Sequence, residues 1–154
     1  MGKINEVIRS LPIGVPLNGK YSSGFGRRIS PFTGRLVKHL GIDFSKPYGS
    51  LVRSTGDGKV IKAKYAKDYG YMIDIKHNDH IVTRYAHLSK ILVKEGESIS
   101  RGKVIGQVGS SGRSTGSHLH YEVRVNNEAV NPISFIKLAG TITKKFQSFD
   151  VARN

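Results

Sequence analysis

Short runs in which apolar and polar residues alternate, broken every few positions by glycine, recur along most of the 154-residue chain. Period-two alternation puts one face of a segment in a core and the other toward water, so the pattern predicts strands. Such runs fall at Leu51 to Ser54, Lys59 to Lys64, Tyr71 to His77, His80 to His87, Val93 to Ser98, Val104 to Val108 and Leu119 to Val125. The Asp57-Gly58 step between the first two supplies the positive φ of a hairpin turn, and Asn78-Asp79 marks a second hairpin. The last six runs are expected to close into one antiparallel sheet. Helical signals are confined to the ends: Ile4 to Leu11 reads as a short helix stopped by Pro12, and Pro132 to Leu138 as a helical turn with proline at its start. Beyond Gly140, a tail with Lys144, Lys145 and Arg153 around two phenylalanines is too short to assign.

Composition narrows this picture. Hydrophobic residues make up 38%, enough for one buried core in a single domain of this length. Twenty-five Lys and Arg against eleven Asp and Glu leave a net charge of +14, so a partner reached by electrostatic steering is anionic: nucleic acid, an acidic lipid surface or a cell-wall polymer. The basic residues are spread along the chain rather than stacked with aromatics, and no recognition-helix or RNA-binding motif occurs, so nucleic acid is not an expected partner. The absence of cysteine excludes disulfides, thiolate-zinc sites and a cysteine nucleophile. No apolar run approaches the roughly 20 residues of a membrane span, and the N-terminus lacks the basic and apolar regions of a signal peptide. Any exporting segment or membrane anchor is therefore expected outside this chain.

The candidate chemistry lies in the placement of the six histidines. In the strand expected over Leu119 to Val125, His118 and His120 share a face with Glu122 and Arg124, while Leu119, Tyr121, Val123 and Val125 face the other way. His39 and Asp43 are four apart, which puts both on one face of an extended segment, and Gly41 and the β-branched Ile42 favour that conformation over helix. Two imidazoles and one carboxylate suit a catalytic zinc ion, which needs three protein ligands and one open position. His87 ends a strand on its polar side, where it could shuttle a proton or meet an oxyanion. His77 and His80 flank the Asn78-Asp79 turn and read as exposed residues without a role. The glycine-rich stretch from Gly109 to Gly116 lacks the Gly-Lys-Ser/Thr ending of a phosphate loop, and neither a Gly-x-Ser-x-Gly elbow nor a His-Glu-x-x-His helix occurs.

The segments Ser23-Gly-Phe-Gly-Arg27, Pro31-Phe-Thr-Gly34, His39-Leu-Gly-Ile-Asp-Phe44, Gly56-Asp-Gly-Lys-Val60, Tyr85-Ala-His-Leu-Ser89, Gly102-Lys-Val-Ile-Gly106 and Gly112-Arg-Ser-Thr-Gly-Ser-His-Leu-His-Tyr-Glu122 together resemble the lysostaphin-type (LytM-like) zinc metallopeptidases of the bacterial cell wall. The resemblance runs from about Tyr21 to Ile136, and Ser117 departs from the proline common before the His-x-His. It implies an all-β antiparallel fold with a substrate groove over the sheet, a peptidase domain over residues 21–138, a lead-in over 1–20 and a tail over 139–154. It implies zinc held by His39, Asp43 and His120, with His87 and His118 as the catalytic pair. In the mechanism it implies, His118 accepts a proton from the attacking water. His87 then stabilises the oxyanion or protonates the leaving amine, and the two roles are exchangeable.

Family substrates are peptidoglycan cross-links, either glycine bridges or direct links containing D-amino acids. Gly112-Arg-Ser-Thr-Gly116 and Val123-Arg-Val-Asn126 resemble the Gram-negative envelope members. The expectation is a D,D-endopeptidase on 4→3 cross-links in the periplasm or cell envelope, with peptidoglycan and envelope regulators as partners. The main alternative is a non-catalytic regulator of the same fold that binds the wall or activates an amidase. A second is a binding module drawn to an anionic polymer by charge, for which the Val93 to Gly109 stretch offers a lipoyl-like hairpin.

Overall fold

The computed structural model describes residues 2–151, and strands dominate it. In chain order the elements are α1 (Gly2–Ser10), β1 (Lys20–Ser23), β2 (Gly26–Ile29), β3 (Leu36–His39), β4 (Ile42–Ser45), β5 (Leu51–Arg53), β6 (Gly58–Ala66), β7 (Gly70–Lys76), β8 (Ile81–Ile91), β9 (Ser98–Ile99), β10 (Val104–Val108), β11 (His118–Val125), β12 (Glu128–Val130) and α2 (Ile133–Val151). Ten strands form one antiparallel sheet in the order β1-β4-β11-β8-β7-β6-β9, with β12 beside β11 and β5 beside β10, while β2 and β3 form a separate hairpin. The alternation in β11 is realised: Leu119, Tyr121 and Val123 are fully buried in a core shared with Ile42, Ile73, Ile75 and Leu88. Each such side chain contributes roughly 1.5–3 kcal/mol by leaving water.

Strand β8 positions the site. Its first part, Ile81 to Ala86, pairs with β11, and its last part, Leu88 to Ile91, pairs with β10. The exchange of partners occurs at His87, whose φ of +58 is the left-handed conformation that non-glycine residues rarely adopt. The sheet splits there, and the segment from Gly109 to Ser117 leaves β10 and enters β11 through that split.

Several expected elements differ. No hairpin forms around Asp57-Gly58, because β5 pairs with β10 while β6 pairs with β7 and β9. Gly58 is not in the left-handed region; a Cβ there would sit 2.5 Å from the Lys76 carbonyl, so close strand approach explains the glycine. The preceding Thr55 is fully buried and its hydroxyl lies between those of Tyr85 and Tyr121, a place no solvent-facing turn could occupy. In the run Val93 to Ser98 only Ser98 is strand, the rest being a loop with Gly96 at φ +88. At the C-terminal end the helix continues well past Leu138, with Asn131 Oδ1 accepting from the Ile133 amide as its cap and Pro132 in the first turn. Arg153 of the tail lies outside the described residues.

The segment before β1 docks on the sheet away from the cleft described below. Arg101 donates to the carbonyls of Ile8, Arg9 and Leu11 at the end of α1, Ile13 and Leu17 are buried, and the Arg53 amide donates to Pro16.

His77, expected to be exposed, is buried, whereas His80 is exposed as expected. The His77 Nδ1–H donates to the Asp57 carbonyl at 2.7 Å, and Nε2 lies 2.7 Å from the Thr83 hydroxyl. Burial lowers this imidazole to about 4. The folded protein therefore keeps it neutral while the unfolded chain takes up a proton near pH 6.5. Stability contributed here is complete above about pH 6.5 and lost as pH falls toward 4, by roughly 3 kcal/mol. Urea unfolding at pH 7 and pH 4.5 should show a larger loss for the wild-type chain than for His77→Gln.

Candidate functional site

One cleft of about 610 Å³ opens over the sheet at the split. Its floor carries His39, Asp43, His87, His118 and His120; one wall is the loop from Ser30 to Thr33 and the other runs from Arg113 to Ser117. Across the cleft, the Arg113 guanidinium stacks 4.5 Å from the Phe32 ring centroid.

Strand pairing assembles the floor. Asp43 in β4 and His120 in β11 are direct cross-strand partners, so their side chains project from the same face. His39 ends β3 rather than continuing into β4, and the chain turns at Leu40-Gly41 to bring it beside Asp43. A Cβ on Gly41 would lie 2.2 Å from the Tyr121 carbonyl, so only glycine lets this turn close against β11. The expected single strand through His39 and Asp43 is thus two strands joined by a bend, and the bend is what brings the two side chains within 3.2 Å, since residues four apart in one strand lie about 13 Å from each other.

The donor atoms form a tight triangle. His39 Nε2 and His120 Nδ1 lie 3.2 and 2.9 Å from Asp43 Oδ1 and 3.2 Å from each other. A tetrahedral zinc ion with bonds of about 2.0–2.1 Å sets its ligands roughly 3.3 Å apart, so these donors fit one ion. All three residues are buried. His39 donates its Nδ1–H to the Gly24 carbonyl at 2.6 Å, which leaves the Nε2 lone pair for the triangle. Burial pushes the Asp43 carboxyl upward, but hydrogen bonds and charge from His120 and His39 outweigh it and hold the group far below the usual carboxylate range. Burial lowers His120, and the carboxylates of Asp43 and Glu122 more than reverse this.

The other two histidines stand beside the triangle. His118 donates Nδ1–H to the Gly116 carbonyl at 2.8 Å, and its Nε2 is 3.9 Å from Asp43 Oδ1. His87 donates Nδ1–H to the Ser111 carbonyl at 2.8 Å, and its ring centroid is 4.9 Å from that of His118. Burial lowers His87 to about 4, with the neighbouring imidazoles acting in the same direction, so it is neutral near pH 7. In both rings Nδ1 is engaged by a backbone carbonyl, so Nε2 is the nitrogen left to accept and return a proton.

All five residues singled out in the sequence meet in this cleft. Three others were not given roles. Arg28 places Nη1 3.5 Å from Asp43 Oδ2, on the side opposite the histidines. Tyr69 lines the cleft and donates to Glu122 Oε1 at 3.0 Å, and Glu122 is itself fully buried. Glu122 had a signal, since it shares a strand face with His118 and His120. Arg28 and Tyr69 had none, because they arrive from the β2–β3 hairpin and the turn before β7.

Similarity to known proteins agrees with the geometry. Peptidase family M23 matches residues 37–132, a span that contains all five residues. The peptidoglycan DD-endopeptidase ShyA of Vibrio cholerae is 42% identical over 142 residues, 90% of this chain and 33% of that relative. A solved zinc-containing peptidase from Vibrio cholerae is 47% identical with a TM-score of 0.71, over 75% of this chain and 37% of that one. The catalytic domain of the antimicrobial peptidase lysostaphin from Staphylococcus simulans is 34% identical with a TM-score of 0.72, over 78% of this chain and 93% of that one. The present chain thus spans about a third of the length of the DD-endopeptidase it matches.

Proposed function

The chain belongs to peptidase family M23, and from that premise we propose that it is a zinc metalloendopeptidase of the bacterial cell envelope that hydrolyses peptidoglycan cross-links. The observation that carries this is the buried His39, Asp43 and His120 triangle with two further histidines facing it. In this reading those three residues would hold zinc, which when bound would supply the Lewis acidity that acidifies water and polarises a scissile carbonyl. His118, oriented by the Gly116 carbonyl, accepts at Nε2 the proton of the attacking water. That proton must then reach the leaving amine, and His87, neutral at rest and oriented by Ser111, either relays it from His118 through its own Nε2 or, once so protonated, stabilises the oxyanion. Because both start with a free Nε2, the two roles are interchangeable on geometry alone. The presence of every donor favours an enzyme over a non-catalytic regulator.

For the bond cleaved, likeness to a DD-endopeptidase supports the D,D-linkage of 4→3 cross-links, and such a substrate supports a location in the periplasm or cell envelope. A net charge of +14 supports electrostatic attraction to an anionic wall. Among the described residues no helix is long and apolar enough to cross a membrane. The test is mass spectrometry of fragments released from purified Gram-negative peptidoglycan. Cross-linked dimers should become monomers with the zinc-loaded protein and remain dimers in a chelated sample. Release of glycine-bridge fragments instead, from a wall that carries them, would change the substrate; no release from either wall would favour a regulator.

A further inference from the structure

Each of the four cleft histidines has one ring nitrogen turned away from the centre. For His39, His87 and His118 that nitrogen is Nδ1, bonded to the carbonyls of Gly24, Ser111 and Gly116 at 2.6–2.8 Å. His120 is reversed. Its Nδ1 faces Asp43 and His39, and its outer nitrogen, Nε2, faces a carboxylate, Glu122 Oε1, at 3.7 Å.

That carboxylate is held from three sides. The Tyr69 hydroxyl donates to Oε1 at 3.0 Å, and Arg124 Nη1 reaches both oxygens at 3.4 Å. Arg84 Nη1 lies 3.7 Å from Oε2, while Nε and Nη2 of the same guanidinium are locked on Asp74 at 2.8 Å each. The Arg84 guanidinium also sits 4.7 Å from the Tyr69 ring centroid. Glu122 and Asp74 are 0% and 2% exposed. A buried ionic network of this kind is often no more stable than apolar side chains of the same volume, so stability alone is a weak reason for it.

We propose that Glu122 is a positioning residue for the metal: by facing the Nε2–H of His120, it holds that ring with the Nδ1 lone pair aimed at the position between His39 and Asp43. An anionic partner on the outer nitrogen also strengthens a histidine as a donor, and loss of such a partner costs about 10–100-fold in metal affinity. The inference rests on His120 being a zinc ligand.

Glu122→Gln keeps the shape and removes the charge. Zinc affinity, measured by competition with a chromophoric chelator, should fall about 10-fold or more. In the zinc-loaded protein, the Nε2–H proton of His120 should give a downfield, slowly exchanging NMR resonance that moves upfield in the variant. A variant with a lower melting temperature but undiminished zinc affinity and an unmoved resonance would make Glu122 purely structural and overturn the proposal. If Glu122→Gln does not fold, Glu122→Asp, which keeps the charge but draws it back from His120 Nε2, is read on the same two measurements, and undiminished zinc affinity with an unmoved resonance there would equally overturn the proposal. His120→Ala is measured in parallel: undiminished zinc binding there would overturn the ligand assignment itself, whereas loss there with no change in Glu122→Gln would overturn only the positioning role.

Discussion

Replacing His120 with alanine is expected to remove zinc and peptide hydrolysis together. The substitution deletes one of three donor atoms that lie within about 3 Å of one another, leaving His39 Nε2 and the Asp43 carboxylate. An ion held by two protein ligands would need additional water in a pocket where His39, Asp43 and His120 are all buried. The loss should therefore exceed the about 10–100-fold penalty of a missing supporting contact. Asp43 also loses its 2.9 Å partner but keeps His39 and Arg28, so the fold should survive with a modest stability change of about 1–3 kcal/mol. Because histidine ligands must shed a proton to bind, wild-type zinc affinity should itself weaken on acidification. Zinc stoichiometry by elemental analysis, chelator competition and dimer-to-monomer conversion of muropeptides read the prediction. His80→Ala, exposed and outside the cleft, is the control expected to match wild type. One zinc per His120→Ala chain at wild-type affinity would remove the residue from the ligand set.

Local rules group His39 with Asp43 and His118 with His120, but it is the resemblance to lysostaphin-type peptidases that joins His120 to the first pair, a meeting made by the pairing of β4 with β11. Two-residue spacing fixes the shared face of His118 and His120, whereas His39 and Asp43 meet because the chain bends between them, a feature the four-residue spacing does not show. What local rules cannot supply is strand partnership. The Asp57-Gly58 step looks like a turn, yet β5 finds β10 instead of β6, and the glycine serves the approach of β7. His77 reads as exposed beside Asn78-Asp79, and only the packing of Thr83 and the Asp57 carbonyl around it makes it a core residue. Glu122 shows its parity in the sequence, together with its strand neighbour Arg124, but not its burial, since its other partners Tyr69 and Arg84 come from the turn before β7 and from β8. The split of the sheet at His87, which makes the cleft, depends on a left-handed backbone at a residue type that gives no local warning.

His118→Ala and His87→Ala are each expected to lose hydrolysis by about 10²–10⁴-fold while retaining zinc. The His118 Nε2 is 3.9 Å from Asp43 Oδ1, further than either donor of the triangle, and its side chain is 19% exposed toward the cleft. Deleting either ring leaves His39, Asp43 and His120 in contact, so metal affinity should change little. What disappears is a lone pair held in a fixed direction by the Gly116 or Ser111 carbonyl. The double variant should be little worse than either single one, because groups that serve one proton-transfer sequence are not independent. The two can be told apart by the leaving group. An amine must be protonated to depart, whereas a stabilised alkoxide or phenolate departs without help. An ester analogue of the cross-link should therefore restore much of the lost rate to the variant lacking the proton donor and little to the variant lacking the base. With His118 as base, rescue is expected in His87→Ala; rescue in His118→Ala instead would exchange the roles, and loss of zinc from either variant would make that histidine a ligand.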